Sequence, residues 1–279
     1  MKIAILMACY NRAATTLGAL EALQNAAMGL NCDVFLVDDG STDGTGARVR
    51  EAYPTVNVID ADGSLYWAKG MRLAWETAAK SGNYDFYLWL NDDVLLKPNA
   101  IANILADYKL LTTSNQRLPA NGTLVLIGAC FEDIIETKCS YGAKNHKDEL
   151  IVPNGTPQLA DGWFNGNFVL VPKAVCEKVG MISGDYTHAR ADYDYAERLK
   201  AANIPFYCSS KYIGVCHNDF DEKMRGKSLC QRIKLLWQPG YWNLHDLWLI
   251  RRRYHGITVA ILSCAHLVYI VLRGVKRSR

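Results

Sequence analysis

The chain has 279 residues, 50% apolar and 21% charged, an ordinary globular balance that excludes disorder, collagen and coiled coil. At roughly 150 residues per domain it is one large domain or a domain with a substantial appendage, and it needs no disulfide or metal staple to fold. The net charge of +3 conceals an asymmetry, because residues 223–279 carry twelve Lys and Arg against one acid, Asp246, while the rest is acidic.

The opening run MKIAILMACYNR has too short an apolar stretch for a signal peptide and lacks a small-residue cleavage site, so 2–7 reads as a buried strand. On that reading the chain is cytoplasmic and the sequons at Asn121 and Asn154 carry no weight. The nine scattered cysteines are then reduced thiols, not a disulfide framework or a zinc site. Apolar residues at helical spacing follow over 13–28, then a second strand over 34–37, a helix over 44–52 and a short strand over 56–59. A helix over 67–79 and a fourth strand over 86–90 come next. Pro98 suits a first helical turn, and the helical pattern continues through 99–111. This alternation implies a parallel sheet with helices on both faces. Beyond it, 124–131, 137–141 and 164–171 read as strands separated by loops, so the sheet turns mixed. Helices over 172–179 and 192–202 and a last strand over 206–212 complete the body.

In the tail, 228–237 and 242–253 read as helices. The run 256–272 holds 17 residues without formal charge, bracketed by Arg251, Arg252 and Arg253 before it and by Arg273, Lys276, Arg277 and Arg279 after it. A spanning helix needs about 20 apolar residues, with about 17 as the lower limit. Three readings stay open: a helix lying at the membrane interface, a helix packed on the protein's own core or on a second copy, or a single span. The interfacial reading predicts an anionic membrane surface as partner, at the cytoplasmic face. An uncharged run between basic ends suits lipid better than the phosphate backbone of a nucleic acid.

Ligands of open parallel sheets bind beyond the carboxyl ends of the strands. The first strand delivers Ala8, Cys9, Tyr10, Asn11 and Arg12 there, and the second delivers Asp38, Asp39, Gly40, Ser41, Thr42 and Asp43. The third adds Asp62 and Gly63, the fourth Asn91, Asp92 and Asp93. Clustered carboxylates are costly without a compensating cation or donors. A hard divalent ion, Mg²⁺ or Mn²⁺, shared between one or two carboxylates and substrate phosphates is the simplest compensator. No G-x-x-x-x-G-K-[ST] loop and no G-x-G-x-x-G after the first strand is present, which disfavours kinase-like and dehydrogenase-like readings.

These residues carry a resemblance. Val37-Asp38-Asp39-Gly40-Ser41-Thr42-Asp43-Gly44-Thr45 resembles the signature of family 2 glycosyltransferases of the GT-A fold, and Ala8-Cys9-Tyr10-Asn11-Arg12 resembles their first-strand turn. Leu90-Asn91-Asp92-Asp93-Val94 is similar to the D-x-D-like motif, and Phe164 to Pro172 to the acceptor-side strand. Ala191-Asp192-Tyr193-Asp194-Tyr195-Ala196-Glu197-Arg198-Leu199 resembles the catalytic-base segment. The motifs occur in order over residues 1–220, and the stretch Asp62 to Trp67 resembles bacterial rhamnosyltransferases and related capsule or O-antigen enzymes. The resemblance implies an α/β, GT-A-type open mixed sheet, mostly parallel, as a catalytic domain over 1–220. A basic aromatic helical tail over 221–279 follows it.

The resemblance also implies roles. Asp39 accepts from the base of a pyrimidine nucleotide while Asp38 holds the turn, or both only shape an Asx-type turn. Asp92 takes the ribose and Asp93 the metal, or the pair is only a solvated turn or a cap for the helix after Pro98. Asp192 is the general base that deprotonates the acceptor, and it also suits the N-cap of its helix. Asp194, counted with the acceptor pocket, is the alternative for the base, but it points elsewhere and lies four residues from Arg198 at the spacing of a structural ion pair. His217 completes the metal site or is an ordinary surface histidine. Ala8, Tyr10, Arg12 and Asp62 flank the donor, and Lys69 meets the diphosphate or is only solvated. Trp163 and Phe164 wall a sugar ring or pack in the core, with Asn165 beside them. The predicted activity is inverting transfer from a UDP- or dTDP-linked sugar to a glycan or lipid-linked glycan in bacterial surface polysaccharide synthesis. The alternative is a catalytically silent glycan- or nucleotide-binding scaffold at the membrane.

Overall fold

The computed structural model describes residues 1–113, 123–218, 226–240 and 242–273. The sequon at Asn121 and the terminal Lys276, Arg277 and Arg279 lie outside the described residues.

The first half builds four parallel strands, β1 (Ile3–Cys9), β2 (Cys32–Asp38), β3 (Asn57–Asp60) and β4 (Phe86–Leu90), in the spatial order β3-β2-β1-β4. They are joined by α1 (Ala13–Ala26), α2 (Thr45–Ala52) and α3 (Tyr66–Ser81). β1 and β4 are apolar along their whole length because helices cover both faces of the sheet, leaving no polar side to show. Alternate residues of β1 enter different cores: Ala4 and Leu6 join Trp75, Trp89 and Tyr195, while Ile3, Ile5 and Met7 join Leu88, Leu90 and Phe168. α3 buries Ala68, Met71, Ala74, Trp75 and Ala78, the spacing of a single helical face.

The second half extends the same sheet through β4-β9-β6-β10-β5. Its elements are β5 (Leu95–Leu96), α4 (Ala100–Thr113), β6 (Val125–Phe131), β7 (Cys139–Tyr141), β8 (Gln158–Ala160) and β9 (Phe168–Pro172), followed by α5 (Lys173–Val179), α6 (Ala191–Ala201) and β10 (Phe206–Val215). β9 runs antiparallel to β4, pairing Phe168 with Leu90, and antiparallel to β6. The mixed sheet expected from the sequence therefore forms at β9. The strand predicted over 164–171 begins only at Phe168, because Asn165, Gly166 and Asn167 make a connecting loop whose backbone serves the site. β10 outruns the predicted 206–212 by passing through bulges between Cys208 and Gly214.

The tail forms α7 (Leu229–Leu235), α8 (Leu244–His255) and α9 (Ile257–Arg273). Ser228 and Gln231 close a capping box on α7, and Asn243 caps α8 by accepting from the Asp246 amide at 3.0 Å. Leu236, Trp242, Leu247, Leu267 and Val271 make a small core of their own, whereas Ile250 of α8 is buried in the main core. α9 buries Ala260, Leu267 and Val271 but leaves Ile257, Ile261, Leu262, Tyr269 and Leu272 exposed. All nine cysteines are free thiols. Cys230 of α7 is exposed, and burial raises the pKa of each of the other eight.

Candidate active site

The ends of β1 and β2 are laced together. Asn11 takes a left-handed backbone (φ 50°), which Asn tolerates better than most residues. Its amide donates to Ser41 Oγ at 2.9 Å, and its side-chain oxygen accepts from the Thr42 amide at 2.7 Å. Asp38 accepts from the Ser41 amide at 3.1 Å and abuts Gly46, where a Cβ would have no room. Asp39 is 3% exposed and takes three amides, those of Gly63 (3.0 Å), Leu65 (3.2 Å) and Tyr66 (2.7 Å). It thus pins the β3 loop and the head of α3 to β2. Gly40 is required in this knot: its φ is +74°, and a Cβ would lie 2.7 Å from the Gly63 nitrogen. Asp62 is exposed and accepts from the Ser64 hydroxyl and amide, which holds its carboxyl below the usual range. A groove of about 440 Å³, lined by Asp60, Ala61, Asp62, Leu65 and Leu73, opens beside it.

Asp92 and Asp93 stand in the turn after β4, and Arg12 lies across them. One guanidinium nitrogen reaches Asp92 Oδ1 at 2.8 Å and the other Asp93 Oδ2 at 2.9 Å. Asp92, 3% exposed, also accepts from Thr16 Oγ1 at 3.0 Å. Burial pushes its carboxyl up to about 6, against the pull of Arg12 and with a further push from Asp93. Asp93 is more open, and the Cys216 thiol donates to its other oxygen at 3.5 Å. His217, next to that cysteine, is directed to Glu132 at 2.8 Å. Among the described residues no three His, Cys, Asp or Glu side chains gather into a protein-only metal cage. Asp93, the more open of the two, offers a hard oxygen ligand of the kind that holds Mg²⁺ or Mn²⁺ jointly with a diphosphate, and to that extent the residues fit the ion.

Asp192, on the first turn of α6, is brought to the same edge. Its carboxylate accepts from the Gly166 amide at 3.0 Å and from its neighbour's amide, Tyr193 N, at 2.9 Å. Burial nevertheless pushes its pKa up to about 6, although the residue keeps some contact with solvent. Gly166 is pressed between Asp192 and the Trp67 ring, with no space for a side chain. Trp67 in turn donates to Asn91 Oδ1 at 2.7 Å, and the Asn91 amide donates to the Asn167 carbonyl at 3.0 Å. The head of α3 is therefore the hub: Asp39 holds its amides, and Trp67 touches both the Asp92–Asp93 turn and the Asp192 loop.

Other expected residues are placed differently. Phe164 is fully buried, its ring centroid 5.3 Å from that of Phe206 and 6.5 Å from that of Trp89, so of the two readings kept open for it the core is the observed one. Trp163 is half-buried, stacked on Tyr193 at 4.5 Å and bonded to Glu197 at 2.8 Å. Asn165 is partly buried, and its amide donates to the Gly142 carbonyl at 3.1 Å. Asp194 is fully buried, its carboxylate taken by Arg198, Arg253, Tyr186 and Tyr254, so it contacts the tail and not an open pocket. Lys69 and Tyr10 are exposed at the rim, and Ala8 is partly so. A larger groove of about 590 Å³ near Lys97, Phe131, Lys211 and Tyr212 contains none of the site carboxylates. Three site features were missed from the sequence: Thr16 behind Asp92, Cys216 beside Asp93, and Trp67 as the link. The Trp67 contact had a partial signal, since it opens a helix immediately after a strand-end loop.

Residues 4–111 match the family Glycosyl transferase family 2. That segment contains Arg12, Asp38, Asp39, Trp67, Asp92 and Asp93. No curated protein matches the chain. The fold is of the GT-A type. It is similar to the mannosyltransferase PcManGT of Pyrobaculum calidifontis in complex with GDP-Man and Mn²⁺, at 15% identity and a TM-score of 0.54, covering 96% of this chain and 69% of that one. It is likewise similar to residues 1–349 of S. aureus TarS, at 13% identity and a TM-score of 0.52, covering 98% of this chain and 81% of that one. The TarS complex with UDP aligns at 15% identity and a TM-score of 0.51, covering 92% of this chain and 73% of that one.

Proposed function

We propose that the protein is an inverting glycosyltransferase that moves a sugar from a UDP- or dTDP-linked donor to a glycan or lipid-linked glycan, in bacterial surface polysaccharide synthesis. The observation that carries this reading is that the turn holding Asp93 and the loop holding Asp192 both meet Trp67 at the head of α3, the first through Asn91 and the second through Gly166. The family 2 match and neighbours in complex with GDP-Man or UDP support it.

The groove beside Asp62 has room for a nucleotide's flat ring, and Leu65, which lines it, donates its amide to Asp39. Asp39 already serves three amides, so it would meet a base N–H through its remaining lone pairs, of which a carboxylate has about four in all. Asp92 would hold the ribose hydroxyls. Arg12 sits where it can trade its carboxylates for the donor's diphosphate. A divalent cation shared by Asp93 and that diphosphate would offset the charge growing on the leaving group. Asp192 takes the proton of the acceptor hydroxyl as that oxygen attacks the anomeric carbon. The bond to the diphosphate breaks on the opposite side, and the nucleoside diphosphate leaves with the electron pair. Arg12 bridging both acids is the one observation that favours the silent scaffold, since it satisfies the pair without a cation. Turnover separates the two readings.

Thermal shift with UDP-, dTDP- and GDP-sugars, each with and without Mn²⁺, tests the donor site. At a hundredfold excess over Kd, a donor binding only the folded state stabilises it by about 2.7 kcal/mol, on the order of 5 °C or more in Tm. The expected result is such a shift for a UDP- or dTDP-sugar, enlarged by Mn²⁺. A flat response to every donor would remove the nucleotide-sugar reading.

The tail is proposed to lie on an anionic membrane at the cytoplasmic face. No described helix is long and apolar enough to cross a bilayer. The outer face of α9 nonetheless exposes Ile257, Ile261, Leu262 and Leu272, and Asp246, the single acid after residue 222, is buried away from it. The exposed Arg252 and Arg273 flank α9 at its two ends, an apolar strip between bases as in helices that lie at lipid interfaces. Sedimentation with vesicles is expected to pull the protein down with phosphatidylglycerol but far less with phosphatidylcholine alone. Ile261→Glu with Leu262→Glu should release it. Equal binding of that variant would place the contact elsewhere.

A further inference from the structure

Asp192 is suspended between two stretches of chain that are both fastened to α8. On its N-terminal side, the fully buried Asp246 accepts from the Thr187 amide (3.1 Å), the Thr187 hydroxyl (2.7 Å) and the His188 amide (3.2 Å). On its C-terminal side, Asp194 Oδ1 accepts from Arg253 Nη1 and from the Tyr254 hydroxyl, each at 2.8 Å. Arg253 spans the interval alone, because its other nitrogen holds Asp185 at 2.7 Å. Between the anchors the backbone passes through Arg190 with φ 74°, a left-handed conformation that persists only where the surroundings impose it. A third tie runs through the ring beside the base: Tyr193 stacks on Trp163, and the Arg251 guanidinium lies 5.1 Å over Trp163.

We infer that α8 is a positioning element for the general base: Arg253 and Tyr254, acting through Asp194, set where the Asp192 carboxylate stands relative to the donor. The inference rests on the reading of Asp192 as the base. It joins the tail to the chemistry, although 59 or 60 residues separate these partners in the chain. Three of the four partners of Asp194 are donors clustered on one oxygen, from Tyr186, Arg253 and Tyr254, so the α6–α8 distance is tightly set. The donor half of the site, from β1 to the β4 turn, makes none of these contacts. A loosened α8 therefore displaces the base and leaves the donor in place.

The test compares Arg253→Gln, Arg253→Lys, Tyr254→Phe and Asp192→Asn, alone and with Asp192→Asn combined with Arg253→Gln. Displacement of a reacting group by about 1 Å can cost a hundredfold, so kcat of Arg253→Gln is expected to fall by about tenfold to a hundredfold. The donor-induced thermal shift and the donor KM should stay within about twofold of the parent. Tyr254→Phe, which deletes one hydroxyl and keeps the ring, should show a smaller fall of the same kind, and Arg253→Lys should recover part of the loss. The decisive readout is the double variant. If Arg253 acts through Asp192, adding Arg253→Gln to Asp192→Asn costs nothing further. Additive losses would overturn the inference, as would a lower Tm with unchanged kcat or an equal rise in donor KM. Unimpaired turnover in Asp192→Asn alone would instead strike down the assignment of the base, a result distinguishable from all of these.

Discussion

Asp192→Asn is expected to lower transfer by about 10²–10⁴-fold while leaving donor binding intact, the range attributed to a positioned general base. The substitution keeps the shape and the oxygen that accepts from the Gly166 amide, so the loop between Trp67 and α6 should hold. What disappears is the basic lone pair. The same residue sets the acid limb of the pH profile. Its pKa is raised to about 6, so it is protonated and inactive as a base below that pH and ionised above it. Asp92 is raised to about 6 as well and must be charged to hold its partners. In kcat/KM, which reports the free enzyme, activity should therefore fall steeply below about pH 6, with both groups contributing. Wild-type turnover in the Asn variant would move the base elsewhere, and a flat profile between pH 5 and 7 would contradict the environment described for both carboxyls.

Asp93→Ala should depress transfer by about 10³-fold or more, and the Mn²⁺-dependent part of the nucleotide's thermal shift should vanish. Preorganised charge at a leaving group supplies several kcal/mol, and losing one such group commonly costs about 10²–10³ in kcat even without a metal. The fold should survive, because Asp93 is at the surface of the turn and Arg12 keeps Asp92 as a partner. Chelation gives the independent control. Full activity in EDTA would take the cation out of the reaction and leave Arg12 as the group that meets the diphosphate.

The centre of the parallel half was legible because β1 and β4 are covered on both faces and write themselves as unbroken apolar runs. β5 and β8 were not, since two or three residues carry no periodicity and form only because β10 offers an edge to pair with. β9 was placed four residues early for a related reason. Phe164 is apolar and buried, but it packs outside the ladder, and the Gly166 turn that follows is dictated by Trp67 and Asp192 from elsewhere in the chain. In the site, the rule of strand ends collected the carboxylates correctly at one edge. It could not say how each would be occupied. That Asp39 spends itself on three amides, and that Arg12 joins Asp92 to Asp93, are facts of side-chain direction across 24 to 81 residues of separation. Asp194 is the clearest case. Its spacing to Arg198 was readable as an ion pair, and that pair exists at 2.9 Å, yet its contacts to α8 left no local trace.

The distribution of thiols gives the molecule a built-in handle. Alkylation requires an accessible thiolate, and eight cysteines are shielded and shifted away from that form, which leaves Cys230 on α7 as the preferred point of attachment. A maleimide fluorophore placed there sits on the bare side of the basic segment, beside the exposed Ile233 and Trp237. Its emission colour would report in real time whether that flank sits in water or among headgroups, without an engineered cysteine and without touching the carboxylates.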